Sequence, residues 1–375
     1  MVKKILFLTG SRADFGKLRP LMHALEKERG FKLYIFVTGM HMLPKYGNTA
    51  SEVKKRGFKK IHYFINQKLG DSLDTIFTNT VQGLGNYLHL LKPDMLVIHG
   101  DRTEALAGAI SGVLNNFFVA HIEGGEVSGA IDESIRHAVS KLAHVHFAAN
   151  DEARKRLLRM GEDPKSINVI GSPDIDLMVS DSLPALDTVK RHYAIPFKDK
   201  YAMCIYHPVS HNLHNLLRDF RAVMESLIES GRNYILIYPN NDPGADIIIE
   251  EIELYRGNPR FRIFPSTRFE SFLVLLKHCE FIIGNSSAGI REAPIYSIPS
   301  VNIGNRQERR YLCDTIINCL GSKEDILTAI NKVPGIKKKR SMHFGDGKSA
   351  ERFIRTVKRP GFWDVKLQKY FVDTV

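Results

Sequence analysis

The chain lacks the features that mark membrane, disulfide-rich and zinc-binding proteins. It contains no run of 18 apolar residues, so a membrane-spanning helix is not expected, and its start, MVKKILFLTG, reads as a β-strand without the cleavage site of a signal peptide. The four cysteines show no C-x-x-C spacing, which disfavours disulfides and zinc and favours reduced thiols in a cytoplasm. Internal repeats and low-complexity segments are also missing. These absences favour a cytoplasmic globular protein without a membrane partner.

Acidic residues are too few to balance the basic ones. The chain carries 53 Lys and Arg against 41 Asp and Glu, a net charge of +12. Such a balance is typical of nucleic-acid-binding proteins, and equally of a site for a phosphorylated small molecule. The basic residues are spread along the whole chain, and the only dense run, residues 337–340, falls in a predicted loop. We therefore expect a solvated basic surface and no nucleic-acid partner.

Apolar segments of strand length alternate with helical patterns through most of the chain. Hydrophobic residues make up 43% and charged residues 25% of 375 residues, which is the composition of a globular enzyme large enough for two domains. The alternation predicts one doubly wound domain over residues 1–171 and another over residues 172–348, with a hinge over residues 171–200. A last helix and tail, residues 349–375, would cross back to the first domain. The predicted fold class is α/β, with two doubly wound Rossmann-like domains facing a cleft in a GT-B-type architecture.

Acidic side chains follow two neighbouring apolar runs of the first domain. The run MLVI leads into Asp101 and Arg102, and the run FFVAHI leads into Glu123. Asp132 opens the next predicted helix, with Arg136 one turn later. Because the carboxyl ends of parallel strands meet at one edge of a sheet, where ligands bind, these groups are expected to converge. The pattern predicts carboxylates with arginines among them, a set suited to moving protons beside an anionic group.

The turn after the first strand has the character of a phosphate site. Its sequence, GSRADFGK, places Arg12, Lys17 and backbone N–H groups at the start of a helix, with Asp14 as the predicted N-cap. The turn is not G-x-G-x-x-G, so a dinucleotide cofactor is not indicated. The alternative is an ordinary strand-to-helix turn with two solvated basic residues.

Polar strand ends recur in the second domain. His207 follows one predicted strand, Asn240 follows the next, and Ser286 and Ser287 lie in the turn GNSSAG after another. Small residues, hydroxyl groups and free N–H groups at the start of a helix are suited to binding a diphosphate. Helix capping is the alternative role for the two serines.

These motifs belong to a larger set that resembles the UDP-N-acetylglucosamine 2-epimerase family. The set spans nearly the whole chain and comprises TGSRADFGKL, VTGMHMLPKYGNT, HGDRTEALAGA, HIEGGE, DESIRHAVSKLAH, IGSPDID, YPNND and GNSSAGIREAP. It is most similar to the hydrolysing, sialic-acid-pathway branch. The nonhydrolysing branch typically has a glycine-rich turn and a paired-glutamate helix, where this chain has SSAGIREAP and DESIRH.

The resemblance implies a role for each candidate residue. Asp101, Glu123 and Asp132 would be the acid/base carboxylates. The sequence does not determine which of them performs which transfer; our own hypothesis is Asp101 or Asp132 at C2 of the sugar and Glu123 in the other transfer. The remaining candidates would bind the substrate: around the diphosphate or the sugar, Arg12, Lys17, Arg102, Arg136, His207 and Arg306; on the phosphate, Ser286 and Ser287; on the ribose, Glu292; against the uracil, Phe272; along the cleft or near the sugar, Asn240 and His41.

The implied reaction converts UDP-N-acetylglucosamine and water to N-acetylmannosamine and UDP, the first step of sialic acid biosynthesis. It passes through 2-acetamidoglucal, which is formed by elimination and then hydrated, and it needs neither a redox step nor a metal, so no cofactor is expected. Two alternatives stay open: the same reaction on UDP-2,4-diacetamido-2,4,6-trideoxyglucose in a legionaminic-type pathway, and a GT-B glycosyltransferase. The family resemblance also implies a homodimer or a dimer of dimers.

Overall fold

The computed structural model describes residues 2–129, 131–198, 200–209 and 213–373, and the chain forms two compact units. Unit 1 comprises Met1–Glu126, Asp132–Ser180 and His343–Val375, and unit 2 comprises Val127–Ile131 and Asp181–Met342. Asp199 of the predicted hinge and the last two residues of the predicted tail, 374–375, lie outside the described residues. No helix in the described ranges has both the length and the hydropathy to cross a membrane.

Unit 1 is built on a parallel sheet. Its described strands are β1 Lys3–Thr9, β2 Phe31–Val37, β3 Ile61–Tyr63, β4 Met95–His99, β5 Val119–Ile122, β6 Val145–Ala148 and β7 Ile167–Val169, in the order β3-β2-β1-β4-β5-β6-β7. Ile5 and Val97 face one apolar cluster, whereas their neighbours Leu6 and Ile98 face another. Both faces of the sheet are therefore buried, as a doubly wound fold requires. The strand order reverses between β1 and β4, which is the position where such folds bind ligands.

Helices supply the apolar residues on both faces of this sheet. They are α1 Arg12–Glu26, α2 Ala50–Lys55, α3 Leu73–Leu91, α4 Thr103–Leu114, α5 Ile131–Leu142, α6 Asp151–Arg159 and α7 Pro173–Met178. Ser11 has an extended backbone and caps α1, because its hydroxyl accepts a hydrogen bond from Asp14 N–H at 3.2 Å. The prediction of Asp14 as the N-cap was wrong, since Asp14 lies inside the first turn and its carboxylate accepts from Gly10 N–H instead.

Unit 2 repeats this plan. Its described elements are α8 Leu186–His192, β8 Ala202–Ile205, α9 Leu216–Glu229, β9 Tyr234–Ile237, α10 Ala245–Glu253, β10 Phe261–Phe264, α11 Phe269–His278, β11 Ile282–Gly284, α12 Ala288–Arg291, β12 Ser300–Ile303, β13 Ile316–Cys319 and α13 Lys323–Lys332. The parallel strands follow the order β10-β9-β8-β11-β12-β13. The sequence predicted a helix over residues 290–297, but α12 ends at Arg291. Pro294 cannot donate a helical hydrogen bond, so the chain continues as a 3₁₀ turn.

The C-terminal helix, α14 Ser349–Val357, belongs to unit 1. Phe353 packs against Phe147 with ring centroids 4.9 Å apart. The N–H groups of Ser349 and Ala350 donate to the carboxylate of Asp176, at 2.8 and 2.7 Å. Because Asp176 lies on α7, these bonds tie α7 and α14 into one unit. Unit 1 therefore extends to Ser180, past the boundary at residue 171 that the sequence predicted.

Candidate active site

Hydrogen bonds join the carboxyl ends of β4 and β5. Gly100 N–H donates to Ile122 O at 3.1 Å, and His121 Nε2 donates to Gly100 O at 2.8 Å. Burial lowers the pKa of His121 to about 3, so this imidazole is neutral and serves as a fixed donor. Gly100 and Glu123 both have left-handed backbone, with φ of 71° and 64°. A glutamate with a left-handed backbone conformation is uncommon, and the surrounding structure has to hold it in that conformation.

Arg136 of α5 connects the two strand ends. Its guanidinium forms an ion pair with Asp101 through Nη2, and Nη1 donates to the main-chain oxygen of Glu123 at 2.8 Å. Arg136 is buried, so these charge-assisted bonds form away from bulk water. Asp132 lies four residues earlier on α5, a spacing that puts it on the same helix face. The structure thus brings Asp101 and Glu123 together around Arg136, with Asp132 on the helix face that carries this arginine.

Two residues that the sequence analysis did not assign to the site contact the Glu123 carboxylate, and a third, Asp14, holds one of them. The hydroxyl of Ser172 donates to Oε1, and His99 Nε2 lies 3.2 Å from Oε2. His99 Nδ1 lies 2.8 Å from Asp14 Oδ1. Burial alone would lower the pKa of His99, but the carboxylates of Glu123 and Asp14 outweigh it and raise the pKa to about 9. His99 is therefore an imidazolium at neutral pH, held between two carboxylates.

The predicted basic residues that follow β1 and β4 each pair with a carboxylate of unit 1. The pairs are Arg12 with Glu52 at 2.7 Å, Lys17 with Asp174 at 3.3 Å and Arg102 with Glu104 at 3.3 Å. The side chains of Arg12 and Lys17 are only 17% and 12% exposed. The alternative of two solvated basic residues therefore does not describe this turn, whose cations are held in fixed positions.

His41 lies in the interior of unit 1. Its Nε2 is 3.1 Å from the hydroxyl of Thr9, and its Nδ1 is 2.6 Å from that of Thr49. Burial lowers the pKa of His41 to about 4, so the ring is neutral at physiological pH. His41 thus connects the end of β1 to the loop that precedes α2. Its placement near a sugar stays a prediction.

In unit 2, Asn285 holds the main chain of His207 with both ends of its amide. Asn285 Oδ1 accepts from His207 N–H at 2.7 Å, and Asn285 Nδ2 donates to His207 O at 2.9 Å. Asn240 N–H donates to His207 Nδ1 at 3.2 Å, which leaves the ring hydrogen on Nε2. The main-chain oxygen of Asn285 accepts from Arg306 Nη1 at 3.3 Å. Asn285, absent from the predicted site, therefore connects two residues that the sequence analysis did predict, His207 and Arg306, and His207 in turn contacts a third, Asn240.

The other predicted residues of unit 2 lie at the ends of its helices or on their faces. The hydroxyl of Ser286 accepts from Ala288 N–H, the first N–H of α12, at 3.3 Å, and Ser287 is the N-cap residue but makes no capping bond with its side chain. Glu292 is buried at the other end of α12. Phe272 lies on α11, stacked on Phe269 with ring centroids 6.3 Å apart. Phosphate, ribose and uracil contacts for these residues stay predictions.

Comparisons with known proteins agree over nearly the full length. The family profile described as UDP-N-acetylglucosamine 2-epimerase matches residues 23–358. A UDP-N-acetylglucosamine 2-epimerase of Neisseria meningitidis is 44% identical, over 99% of both chains, and a UDP-N,N'-diacetylbacillosamine 2-epimerase (hydrolyzing) of Legionella pneumophila is 33% identical, over 96% of both. The solved UDP-GlcNAc 2-epimerase of Methanocaldococcus jannaschii in complex with UDP-GlcNAc and UDP has a TM-score of 0.80 at 23% identity, covering 94% of this chain and 99% of that one. The predicted α/β fold with two Rossmann-like domains is confirmed, and the chain belongs to the UDP-N-acetylglucosamine 2-epimerase family.

Proposed function

We propose that this protein is a hydrolysing UDP-N-acetylglucosamine 2-epimerase, which converts UDP-N-acetylglucosamine and water to N-acetylmannosamine and UDP. The observation that carries the proposal is the pairing of Asp101 and Glu123 around Arg136, with His99 on the Glu123 carboxylate. The N. meningitidis relative is named for the epimerase activity, and the L. pneumophila relative is named as hydrolyzing. Together they support a hydrolysing reaction on a UDP-linked 2-acetamido sugar.

The reaction requires several proton transfers at neighbouring carbon atoms. The C2 hydrogen is not acidic enough to leave unaided, so a base removes it as UDP departs from C1, which gives 2-acetamidoglucal. Protonation of C2 from the opposite face and addition of water at C1 then give N-acetylmannosamine. A carboxylate accepts the first proton, a protonated group delivers the second, and water gives its proton to a third group. Each positioned acid or base contributes about 10²–10⁴-fold to the rate.

The nucleotide is assigned to unit 2 in this proposal. His207 carries its ring hydrogen on Nε2, and Arg306 is held by the Asn285 carbonyl. Donors and cations of this kind stabilise the charge that develops on a leaving diphosphate. Ser286 and Ser287 would donate to the phosphates, while Glu292 and Phe272 would contact ribose and uracil. Arg12, Lys17, Arg102 and His41 of unit 1 would line the sugar and the diphosphate.

One set of assays tests the two alternatives, which are a different sugar nucleotide as substrate and a glycosyltransferase reaction. Initial rates of UDP release from UDP-N-acetylglucosamine and from UDP-2,4-diacetamido-2,4,6-trideoxyglucose are measured side by side, with the sugar products identified by NMR. We expect the first substrate to be preferred and free N-acetylmannosamine to appear. Preference for the diacetamido sugar nucleotide would indicate that the protein catalyses the legionaminic-type reaction instead. Intact UDP-N-acetylglucosamine in the absence of an acceptor would favour a GT-B glycosyltransferase.

The same proposal extends to the setting of the enzyme. We place it in the cytoplasm, at the start of sialic acid biosynthesis, as a homodimer or a dimer of dimers. Sedimentation equilibrium measures the mass of the assembly, and a monomer at micromolar concentration would contradict the oligomer.

Asn285→Ala is expected to raise KM for UDP-N-acetylglucosamine about 10- to 100-fold, because it removes two hydrogen bonds of about 1 kcal/mol each that hold His207. We expect kcat to fall less, since the proton-transfer groups belong to unit 1. Asn318→Ala is the matched control: it also removes a side-chain amide bond, to Asn302, but on the edge strand β13. Equal KM values for the two variants would contradict the role of Asn285.

A further inference from the structure

Asp14, His99 and Glu123 form a continuous chain of side chains in unit 1. His99 lies 2.8 Å from Asp14 through Nδ1 and 3.2 Å from Glu123 through Nε2. The side chains of His99, Asp14 and Glu123 are 10%, 12% and 4% exposed. Both ends of the chain are fixed: the other oxygen of Asp14 accepts from Gly10 N–H at 3.0 Å, and that of Glu123 accepts from Ser172. The imidazole therefore has little freedom to turn away from either carboxylate.

The three side chains share one proton, which lies either on His99 Nε2 or on Glu123 Oε2. Both imidazole contacts are hydrogen bonds when His99 carries two hydrogens and Glu123 carries none. They remain hydrogen bonds when the Nε2 proton moves to Glu123 Oε2, because the neutral ring still donates through Nδ1 to Asp14 and now accepts at Nε2. No other bond has to change. Asp14 fixes the tautomer and orientation of the imidazole, as the aspartate does in a Ser-His-Asp triad.

Asp101 has a different kind of partner. It faces the guanidinium of Arg136, which stays charged and has no proton to pass on. Glu123 faces an imidazole, a group that can both give and take up a proton. Glu123 therefore has a proton source in hydrogen-bond contact.

We propose that Asp14 and His99 are positioning residues that store a proton for Glu123, which delivers it to C2 during hydration of the glucal. This rests on the proposed function, and it assigns Glu123 to C2, where the sequence analysis expected Asp101 or Asp132. The proton moves from His99 Nε2 to Glu123 Oε2 and on to C2, where the electron pair of the C1–C2 double bond forms the new C–H bond. Water supplies the pair for the C1–O bond and loses its proton to a second base. His99, left neutral, is reprotonated from solvent before the next turnover.

The charged and titratable groups around His99 favour a stored proton. Asp14 faces it from α1 and Glu123 from the end of β5, while Arg136 of α5 reaches the Glu123 main chain and His121 of β5 is neutral. Against the effect of burial, the two carboxylates raise the pKa of His99 to about 9. His99 therefore carries the stored proton at neutral pH and loses it as the pH rises through about 9. Hydration is expected to slow over that range.

His99→Gln tests the inference, because glutamine retains a hydrogen-bonding amide but stores no proton. Two assays are run from pH 6 to 10: UDP release from UDP-N-acetylglucosamine, and hydration of synthetic 2-acetamidoglucal. We expect the hydration rate to fall at least about 10-fold more than the elimination rate, so that 2-acetamidoglucal accumulates. The decrease in hydration rate near pH 9, which is the alkaline limb of the pH–rate profile, should also disappear. Ser172→Ala is the matched control, because it removes the other contact of Glu123 and should change rates without moving the limb.

Asp14→Asn provides a second variant should His99→Gln fail to fold. Asparagine keeps one acceptor oxygen, which can face His99 Nδ1, but it loses the second acceptor, which faces Gly10 N–H, and the charge that stabilises the imidazolium. The alkaline limb is expected to move to lower pH. An unchanged limb in a folded variant, with no accumulation of glucal, would overturn the proton store. A wild-type enzyme that releases no UDP from UDP-N-acetylglucosamine would instead overturn the proposed function.

Discussion

Asp132→Asn is expected to lower kcat on UDP-N-acetylglucosamine by about 100- to 10,000-fold, the usual loss when a positioned general acid or base is removed. Asp132 lies in the first turn of α5, on the face that carries Arg136 four residues later. Asparagine keeps the shape of the side chain but cannot carry a proton between atoms. The loss is measured as the initial rate of UDP release at saturating substrate.

Glu133→Gln is the matched control, because it makes the same chemical change one residue later on the same helix turn. Consecutive helical residues point in different directions, and Glu133 pairs with His137 at 3.2 Å. We expect its kcat to stay within about twofold of wild type, since no proposed transfer involves Glu133. Equal kcat values for the two variants would remove Asp132 from the acid/base set.

Asp101→Asn and Glu123→Gln should also lower kcat, each by at least about 100-fold. These two carboxylates contact Arg136 and His99, so thermal unfolding has to be measured alongside the rates. A loss of activity in variants that remain folded assigns the effect to proton transfer. Near-native activity in all three carboxylate variants would rule out the assignment.

Gly284→Ala is expected to destabilise the protein by about 2–6 kcal/mol, from backbone strain and steric overlap together. Gly284 ends β11 at φ 130°, a conformation that only glycine adopts readily. A Cβ at this position would lie 2.0 Å from the main-chain oxygen of Ile205, its partner on β8. The two strands would be forced apart beside Asn285 and His207, so UDP affinity should fall with stability. Urea unfolding and titration calorimetry with UDP measure the two effects.

Gly257→Ala is the control for this change within unit 2. An added Cβ at Gly257 meets nothing within 4 Å, and its φ is not positive. We expect a change of less than about 1 kcal/mol, in either direction. If Gly284→Ala were as stable as Gly257→Ala, the close approach of β8 and β11 would be wrong.

The elements that the sequence predicted best are those with a strong local pattern. The sequence predicts a helix over residues 103–114 and a strand over residues 261–264, and the structure has both with these bounds, because helical periodicity and an apolar run determine them. Five short elements were not predicted: α2, β3, α7, α8 and β13. Each has seven residues or fewer, which is too short for a periodic pattern to be recognised in the sequence. Two of them, α7 and α8, lie in the predicted hinge.

The residues of the candidate site also divide into those that a local sequence pattern predicts and those that it does not. Asp101 and Glu123 are predictable, because buried parallel strands that end in charge bring those charges to one edge. His99 was not, since its role depends on Asp14, which is 85 residues away in the chain, and on Glu123. Asn285 was not either, because a polar turn residue gives no local sign that its amide will hold another strand end. Contacts between distant segments determine both positions.

The most direct test of the account is the reaction of UDP-N-acetylglucosamine in D₂O, followed by ¹H NMR. Elimination removes the C2 hydrogen, and hydration delivers a new one that has exchanged with solvent. We therefore predict UDP and free N-acetylmannosamine that carries deuterium at C2. N-acetylmannosamine that keeps its C2 proton, UDP-N-acetylmannosamine as the product, or a substrate that stays intact would each contradict the proposed reaction.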